Sequence, residues 1–324
     1  MKILVTGAAG FVGYHSSKKL LKLGYSVVGI DNLNDYYDVN LKYARLDDLK
    51  NESKFSFIQM DLADRAGIAE LFQKEKFNLV LHLGAQAGVR YSIENPFAYL
   101  DSNIVGTLTI LEGCRNNNIE HLVYASSSSV YGANTKQPFS IDDRVDSPIS
   151  LYAATKKSDE MMCYTYAHLY GFPITGLRFF TVYGTYGRPD MAYFKFANAI
   201  RADKPIDVYN HGDMKRDFTY IDDIVNGIVS IVEKGPIVEE NTVPHRVYNL
   251  GNNNPEKLLD MINILENKLG KVAVKNYLPM QPGDVYSTFA DISATQKDYN
   301  FSPKVTLEQG LDIFVNWYKR YYQC

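Results

Sequence analysis

A tyrosine and a lysine four residues apart, in Tyr152-Ala153-Ala154-Thr155-Lys156, share one face if that stretch is helical. A free phenol titrates near pH ~10 and is a poor base at neutrality. Lowering that by ~3 units takes about 4 kcal/mol of preference for the phenolate. A neighbouring ammonium and the positively charged ring of a bound cofactor can supply it together. Upstream lies a run of hydroxyls, Ser126 to Ser129. A serine there can hydrogen-bond the substrate hydroxyl that gives up its proton. A serine of that run, Tyr152 and Lys156 therefore read as an orienting group, a base and the group that tunes it. Taken alone, the Tyr–Lys pair is common by chance and reads as ordinary helix surface, and the serines as a turn.

The reading gains weight from the amino terminus. Gly7-Ala8-Ala9-Gly10-Phe11-Val12-Gly13 follows the apolar run Ile3-Leu4-Val5 and opens a helical pattern from Phe11 to Leu23. Glycines at this spacing let a strand turn sharply into a helix and let the backbone approach a pyrophosphate, which then faces free N–H groups. A second strand, Ser26 to Ile30, ends at Asp31. An acid at that place holds two ribose hydroxyls and repels a 2′-phosphate, which selects NAD.

These groups have to be positioned by a scaffold, and the apolar pattern supplies one. Strand-like runs at 55–58, 79–81, 121–124 and 174–177 alternate with helical stretches at 64–75, 96–117 and 150–170. Nearly continuous apolar strands separated by helices predict an α/β fold, a doubly wound parallel sheet with helices on both faces. Ligands in such sheets lie beyond the carboxyl ends of the strands. The residues found there are Asp61 and Leu62, Gly84 and Ala85, Ser126 to Ser129, and Thr181. After residue 180 glycine, proline and aromatic residues crowd 183–219, followed by helical patterns at 191–201, 222–234, 256–269 and 306–322 and a strand at 247–250. The pattern predicts a nucleotide domain over 1–180, with 215–250 returning to it, and a smaller α/β substrate lobe over 181–324.

Bulk composition narrows the partners. The 324 residues are 46% hydrophobic, enough for a large core, and carry a net charge of −3. Lys and Arg are scattered, which argues against nucleic acid or an anionic membrane as partner. No apolar run approaches the ~20 residues of a spanning helix. The three cysteines, Cys114, Cys163 and Cys324, have no metal-ligand spacing, so no metal site is expected, and they fit a reduced, cytoplasmic protein. Tyrosine pairs such as Tyr36-Tyr37 read as half-buried packing.

With the glycine turn, the serines and Tyr152-x-x-x-Lys156 together, the whole chain resembles an extended short-chain dehydrogenase/reductase, the superfamily of NAD-dependent nucleotide-sugar epimerases, dehydratases and decarboxylases with a Rossmann sheet. The resemblance implies that Tyr152 is the base, that Lys156 lowers its pKa and holds the nicotinamide ribose, and that Ser127 holds the sugar hydroxyl. It implies cofactor contacts from Gly7, Gly10, Phe11, Val12, Gly13, Asp31 and Asn32, and from Asp61, Leu62, Gly84, Ala85 and Asn103. It also implies a homodimer through a four-helix interface built from the helices near 96–117 and 150–170.

Within the superfamily, dehydratases and decarboxylases carry an acid just before Val-Tyr-Gly. Here Ser128 and Ser129 precede Val130-Tyr131-Gly132. What remains is epimerisation at C4 through a transient 4-keto sugar. The stretches 31–38, 86–92, 177–184 and 187–191 resemble those of enzymes that interconvert UDP-glucuronate and UDP-galacturonate. The alternative is a 4-epimerase of a neutral UDP-hexose or UDP-N-acetylhexosamine. A C5 carboxylate needs donors or a cation; Arg188, Thr181, Ser127, Ser128 and Arg90 are the candidates, with Arg188 open to binding the diphosphate instead. By family position Val208 and Tyr209 lie against the uracil, Arg216 binds the diphosphate and Asp284 takes a ribose hydroxyl. Gln281 stands where galactose-type epimerases commonly have Arg.

Overall fold

A strand covered on both faces must be apolar at every position, and its neighbours must be too. Ile3 and Val5 point into one core with Leu79, Leu81, Val123 and Leu177, while Leu4 points into the other with Val28, Val80 and Leu122. The computed structural model describes residues 1–281 and 285–323. Its strands are β1 (Lys2–Thr6), β2 (Ser26–Asp31), β3 (Phe55–Gln59), β4 (Leu79–His82), β5 (His121–Ser127) and β6 (Ile174–Phe179). They continue as β7 (Thr181–Tyr183), β8 (Ile206–Tyr209), β9 (Lys215–Tyr220), β10 (His245–Leu250), β11 (Pro255–Lys257) and β12 (Lys275–Leu278). Seven of them form one parallel sheet in the order β3-β2-β1-β4-β5-β6-β10. That is the doubly wound Rossmann order, and its switch point lies between β1 and β4.

The helices are α1 (Phe11–Lys22), α2 (Val39–Leu49), α3 (Arg65–Glu75), α4 (Tyr91–Glu94), α5 (Pro96–Tyr99) and α6 (Gly106–Asn116). Beyond these come α7 (Leu151–Tyr170), α8 (Ala192–Arg201), α9 (Ile221–Lys234), α10 (Leu258–Leu269), α11 (Ser293–Tyr299) and α12 (Leu307–Tyr321). On one side of the sheet α1 packs against α2 and α9; on the other, α6 packs between α3 and α7. The single helix expected over 96–117 is replaced by α5, a π-helical turn at Leu100–Val105 and α6. The wider turn sets the Asn103 side chain inside the protein, and such bulges are frequent at functional sites. The helix expected from 256 begins at Leu258, because 255–257 pair antiparallel with β9 as β11.

The stretch 215–250 divides. β9 stays outside the large sheet, pairing with β7 and β11, whereas α9 lies on α1 and β10 extends the sheet beside β6. β8 and β12 form a separate parallel pair. The helix α12 starts in a reciprocal Thr306–Gln309 cap and lays Trp317 against Tyr186, with ring centres 4.9 Å apart. Cys114 and Cys163 are buried and unpaired; Cys324 lies outside the described residues. Among the described residues no helix is long and apolar enough to cross a membrane.

Candidate active site

The turn between β1 and α1 can be built only from small residues. Gly7 has φ +68°, and a Cβ on it would sit 2.8 Å from the Gly84 backbone on the neighbouring strand's exit. A Cβ on Gly13 would come within 2.0 Å of the Gly7 carbonyl oxygen. No side chain caps the first turn of α1, and no acid stands in it. Its N–H groups therefore face a cleft lined by Gly7, Gly10, Phe11, Val12 and Gly13, the arrangement that accepts a pyrophosphate. Asp31 lies in the same cleft at the end of β2, with Asn32, Asp61 and Leu62 beside it and Gly84 and Ala85 opposite. Asn32 Nδ2 donates to Asp61 at 2.8 Å, and Asp61 also accepts from Ala63 N, so this carboxylate fixes the wall rather than standing free.

Asn103 is not in that wall. It is fully buried, and its carboxamide is spent within the protein. Nδ2 donates to Gln86 O at 3.1 Å and Thr155 Oγ1 at 2.9 Å, and Oδ1 accepts from Gln86 N at 2.8 Å. The expected cofactor contact is thereby corrected to a tie between the π-helical turn, the β4 exit and α7.

Tyr152, Lys156 and Ser127 meet in the cleft, as their spacing requires. Ser150 caps α7 by accepting from Ala153 N at 3.1 Å, which places Tyr152 on the first turn and Lys156 one turn on. Lys156 Nζ donates to Ala125 O and to Asp159 Oδ2, both at 3.1 Å. Burial alone would lower this ammonium's pKa, but the adjacent Asp159 carboxylate raises it, so the lysine stays charged. Ser127 Oγ accepts from Ser129 N and donates to Ser129 Oγ, each at 3.1 Å. Behind the serines Glu160 accepts from Ser126 at 2.7 Å and takes two bonds from Arg178 at 2.8 and 2.9 Å. Burial would raise the Glu160 carboxyl, but Arg178 holds it below the ordinary range. This braced pair fixes the end of β5 against α7 and β6.

The sugar side is partly assembled. Arg188 faces the cleft and is bound bidentate by Asp190, through Nε to Oδ1 at 3.0 Å and Nη2 to Oδ2 at 2.5 Å. Burial would raise the Asp190 carboxyl, yet Arg188 holds it down. Tyr36 donates to Asp190 at 3.1 Å and lines the cleft, so the packing role read for this tyrosine is incomplete. Arg90 lies over the Tyr209 ring at 4.7 Å, outside the cleft lining, as do Ser128 and Thr181. Val208 corrects an expectation. β8 alternates, turning Ile206 and Val208 inward, so the Val208 side chain is wholly buried and only Tyr209 is placed to meet a base. Arg216 on β9 donates to Lys215 O at 2.9 Å and to Tyr286 O at 3.3 Å. Asp284 lies outside the described residues.

Four groups escape the sequence reading. Lys42 lines the cleft 3.7 Å from Asp31, Asp159 holds Lys156, Asp190 holds Arg188, and Arg45 fastens the loop that carries Arg188. Only the Lys156–Asp159 and Arg188–Asp190 pairs announce themselves by spacing, as a Lys–Asp pair three residues apart and an Arg–Asp pair two apart.

Residues 3–251 match the model of the NAD dependent epimerase/dehydratase family. The chain belongs to that family. Over the full length of both proteins it is 53% identical to Protein CapI of Staphylococcus aureus. It is 46% identical to a probable UDP-glucuronate 4-epimerase of Rhizobium meliloti (strain 1021), covering 100% of this chain and 98% of the relative. Among solved structures it resembles UDP-glucuronic acid 4-epimerase from Bacillus cereus in complex with UDP-glucuronic acid and NAD. That likeness has a TM-score of 0.91 at 38% identity, over 99% of this chain and 100% of the other.

Proposed function

We propose that this protein is an NAD-dependent epimerase that interconverts UDP-glucuronate and UDP-galacturonate at C4. The observation that carries the reading is the convergence of Ser127, Tyr152, Lys156 and Arg188 on the one cleft that the glycine turn also lines, with serine at 128 and 129 where dehydratases and decarboxylases hold an acid. The similarity to named UDP-glucuronate 4-epimerases points the same way.

The residues fit NAD. Gly7, Gly10, Phe11, Val12 and Gly13 hold its pyrophosphate. Asp31 and Asn32 take the adenosine ribose, and Asp61, Leu62, Gly84 and Ala85 enclose the adenine side. When bound, NAD supplies reversible acceptance of the C4 hydride, so that the sugar passes through a 4-ketone and returns with C4 inverted. The protein moves the proton. Tyr152 takes it from the C4 hydroxyl, the Lys156 ammonium stabilises the resulting phenolate, and Ser127 holds the hydroxyl in line. Arg188, on the cleft wall, receives the carboxylate, Arg90 and Tyr209 flank the base, and Arg216 and Asp284 serve the diphosphate and ribose. Residues 1–180 with α9 and β10 form the nucleotide domain, and most of 181–324 forms the sugar lobe. Two unpaired, buried cysteines suit a reducing compartment, the cytoplasm.

Incubating the purified protein with UDP-glucuronate and resolving the products by ion-exchange chromatography tests the reading. A mixture of UDP-glucuronate and UDP-galacturonate is expected. Turnover of UDP-glucose or UDP-N-acetylglucosamine in preference to the acidic sugar sinks it.

The outer faces of α5, α6 and α7 carry Phe97, Leu108 and Met161, the first 72% and the last 61% exposed. Large apolar side chains so exposed on adjacent helices suit a helical interface. We place a homodimer there, through a four-helix contact. Sedimentation of the wild-type protein should give twice the chain mass, and Phe97→Asp/Met161→Asp should give the single chain mass. A monomeric wild-type protein contradicts it.

A further inference from the structure

Asp159 is buried directly behind the Lys156 ammonium, three residues along α7 and 1% exposed at its side chain. One oxygen, Oδ2, accepts from Lys156; the other, Oδ1, is buried and makes no hydrogen bond. Leaving half a carboxylate unpartnered in a core is expensive, and its charge is poorly screened there. Thr107 of α6 lies against it and lowers its pKa, and the same hydroxyl meets His82 Nε2 at 3.2 Å. His82 Nδ1 pairs with Thr6 Oγ1 at 2.8 Å, and Thr6 Oγ1 accepts from Gly84 N at 2.8 Å. The row Gly84–Thr6–His82–Thr107 thus runs from the glycine floor of the cleft to the side of Asp159.

We propose that Asp159 is a positioning residue that holds the Lys156 ammonium at the Ala125 carbonyl and, by its own charge, restrains how strongly that ammonium favours the Tyr152 phenolate. The proposal rests on Tyr152 being the base, as read above. The other ionisable groups around Lys156 are neutral or paired elsewhere, which leaves Asp159 as the anion acting on it. Glu160, next on α7, is matched by Arg178 of β6. His82 of β4 is kept neutral by burial and by Lys156, its pKa driven down to about 3. Tyr124 of β5, Cys163 of α7 and Cys114 of α6 are pushed up by burial and stay protonated. Asp159 itself is raised by burial, against the pull of Lys156, to about 6, and is ionised at neutral pH. A negative charge near a phenol disfavours the phenolate, so removing it lets the phenolate persist to lower pH.

Asp159→Asn tests this without relying on turnover. The ultraviolet absorbance of the Tyr152 phenolate, taken as the difference between each holoenzyme and its own Tyr152→Phe counterpart, gives the ionisation midpoint directly. The midpoint is expected to fall by about one pH unit in Asp159→Asn. The acid limb of kcat for UDP-glucuronate should move the same way, with KM unchanged within about twofold. Below about pH 6 the two proteins should converge, because the wild-type Asp159 then takes up a proton. A midpoint that stays put or rises overturns the proposal, even if activity drops. If Asp159→Asn does not retain dinucleotide, Asp159→Ser, smaller and also uncharged, carries the same expectation and the same refutation. Should the wild-type difference spectrum show no phenolate while UDP-glucuronate is still epimerised, the fault lies with Tyr152 as base and not with Asp159.

Discussion

Replacing Tyr152 by Phe is expected to lower kcat for UDP-glucuronate by about 10³-fold while leaving UDP-sugar affinity within a few fold. A positioned base contributes about 10²–10⁴ to such a proton transfer, and no other group at the site can substitute. Ser127 has a pKa far too high, and Lys156 stays protonated in the grip of Asp159 and Ala125. The substitution removes one half-buried hydroxyl from the first turn of a helix that Ser150 caps independently, so the fold should be unaffected. The measurements are a product assay over time, titration calorimetry with UDP-glucuronate and the dinucleotide content of the purified variant. Residual activity within tenfold of wild type would contradict the role assigned to the phenol.

The second large effect is expected at a residue that touches neither substrate nor cofactor. Arg45 is wholly buried on α2, and its guanidinium is shared among backbone carbonyls. Nη1 donates to Ala9 O and to the Tyr37 hydroxyl at 2.7 Å. Nη2 donates to Tyr186 O at 2.7 Å and Gly187 O at 3.2 Å, and Nε to Tyr186 O at 3.1 Å. One side chain thereby fastens the pyrophosphate turn to the loop just before Arg188. Arg45→Met fills similar volume but leaves three carbonyls without donors, each costing about 1–3 kcal/mol. We expect a loss of at least about 3 kcal/mol, a fall in melting midpoint of roughly 4 °C or more, and a KM for UDP-glucuronate raised about tenfold as Arg188 loses its seat. Differential scanning calorimetry and steady-state kinetics would measure both. Arg45→Lys should recover little, since a point charge cannot reproduce the planar fork. A wild-type melt with unchanged KM would show that the loop does not depend on this residue.

The sheet was readable because its strands are continuous apolar runs, and β1 to β6 and β10 fall where those runs predict. The catalytic pair was readable because helical spacing fixes which side chains share a face. Helix α2 has no clean apolar stripe, because its buried side includes Lys42 and Arg45 alongside Leu41 and Leu49. A charged residue turned inward looks, in a sequence, like one turned outward. The short strands β7, β8, β9, β11 and β12 run three to six residues, too brief for a period-2 pattern to stand out from the turns around them. Val208 and Asn103 show the limit of carrying a role by position: both lie outside the cleft lining, with their side chains committed inward.

The seating of Tyr186 between Trp317 and the Arg45 guanidinium has a consequence for how the protein is made. During synthesis the strands and helices that cradle the dinucleotide emerge early and can begin to order. The loop before Arg188 is translated midway, but Trp317 and Tyr321, which pack on Tyr186, arrive only with α12. A nascent chain would therefore acquire its nucleotide half first and finish the sugar-facing half on completion of that late helix.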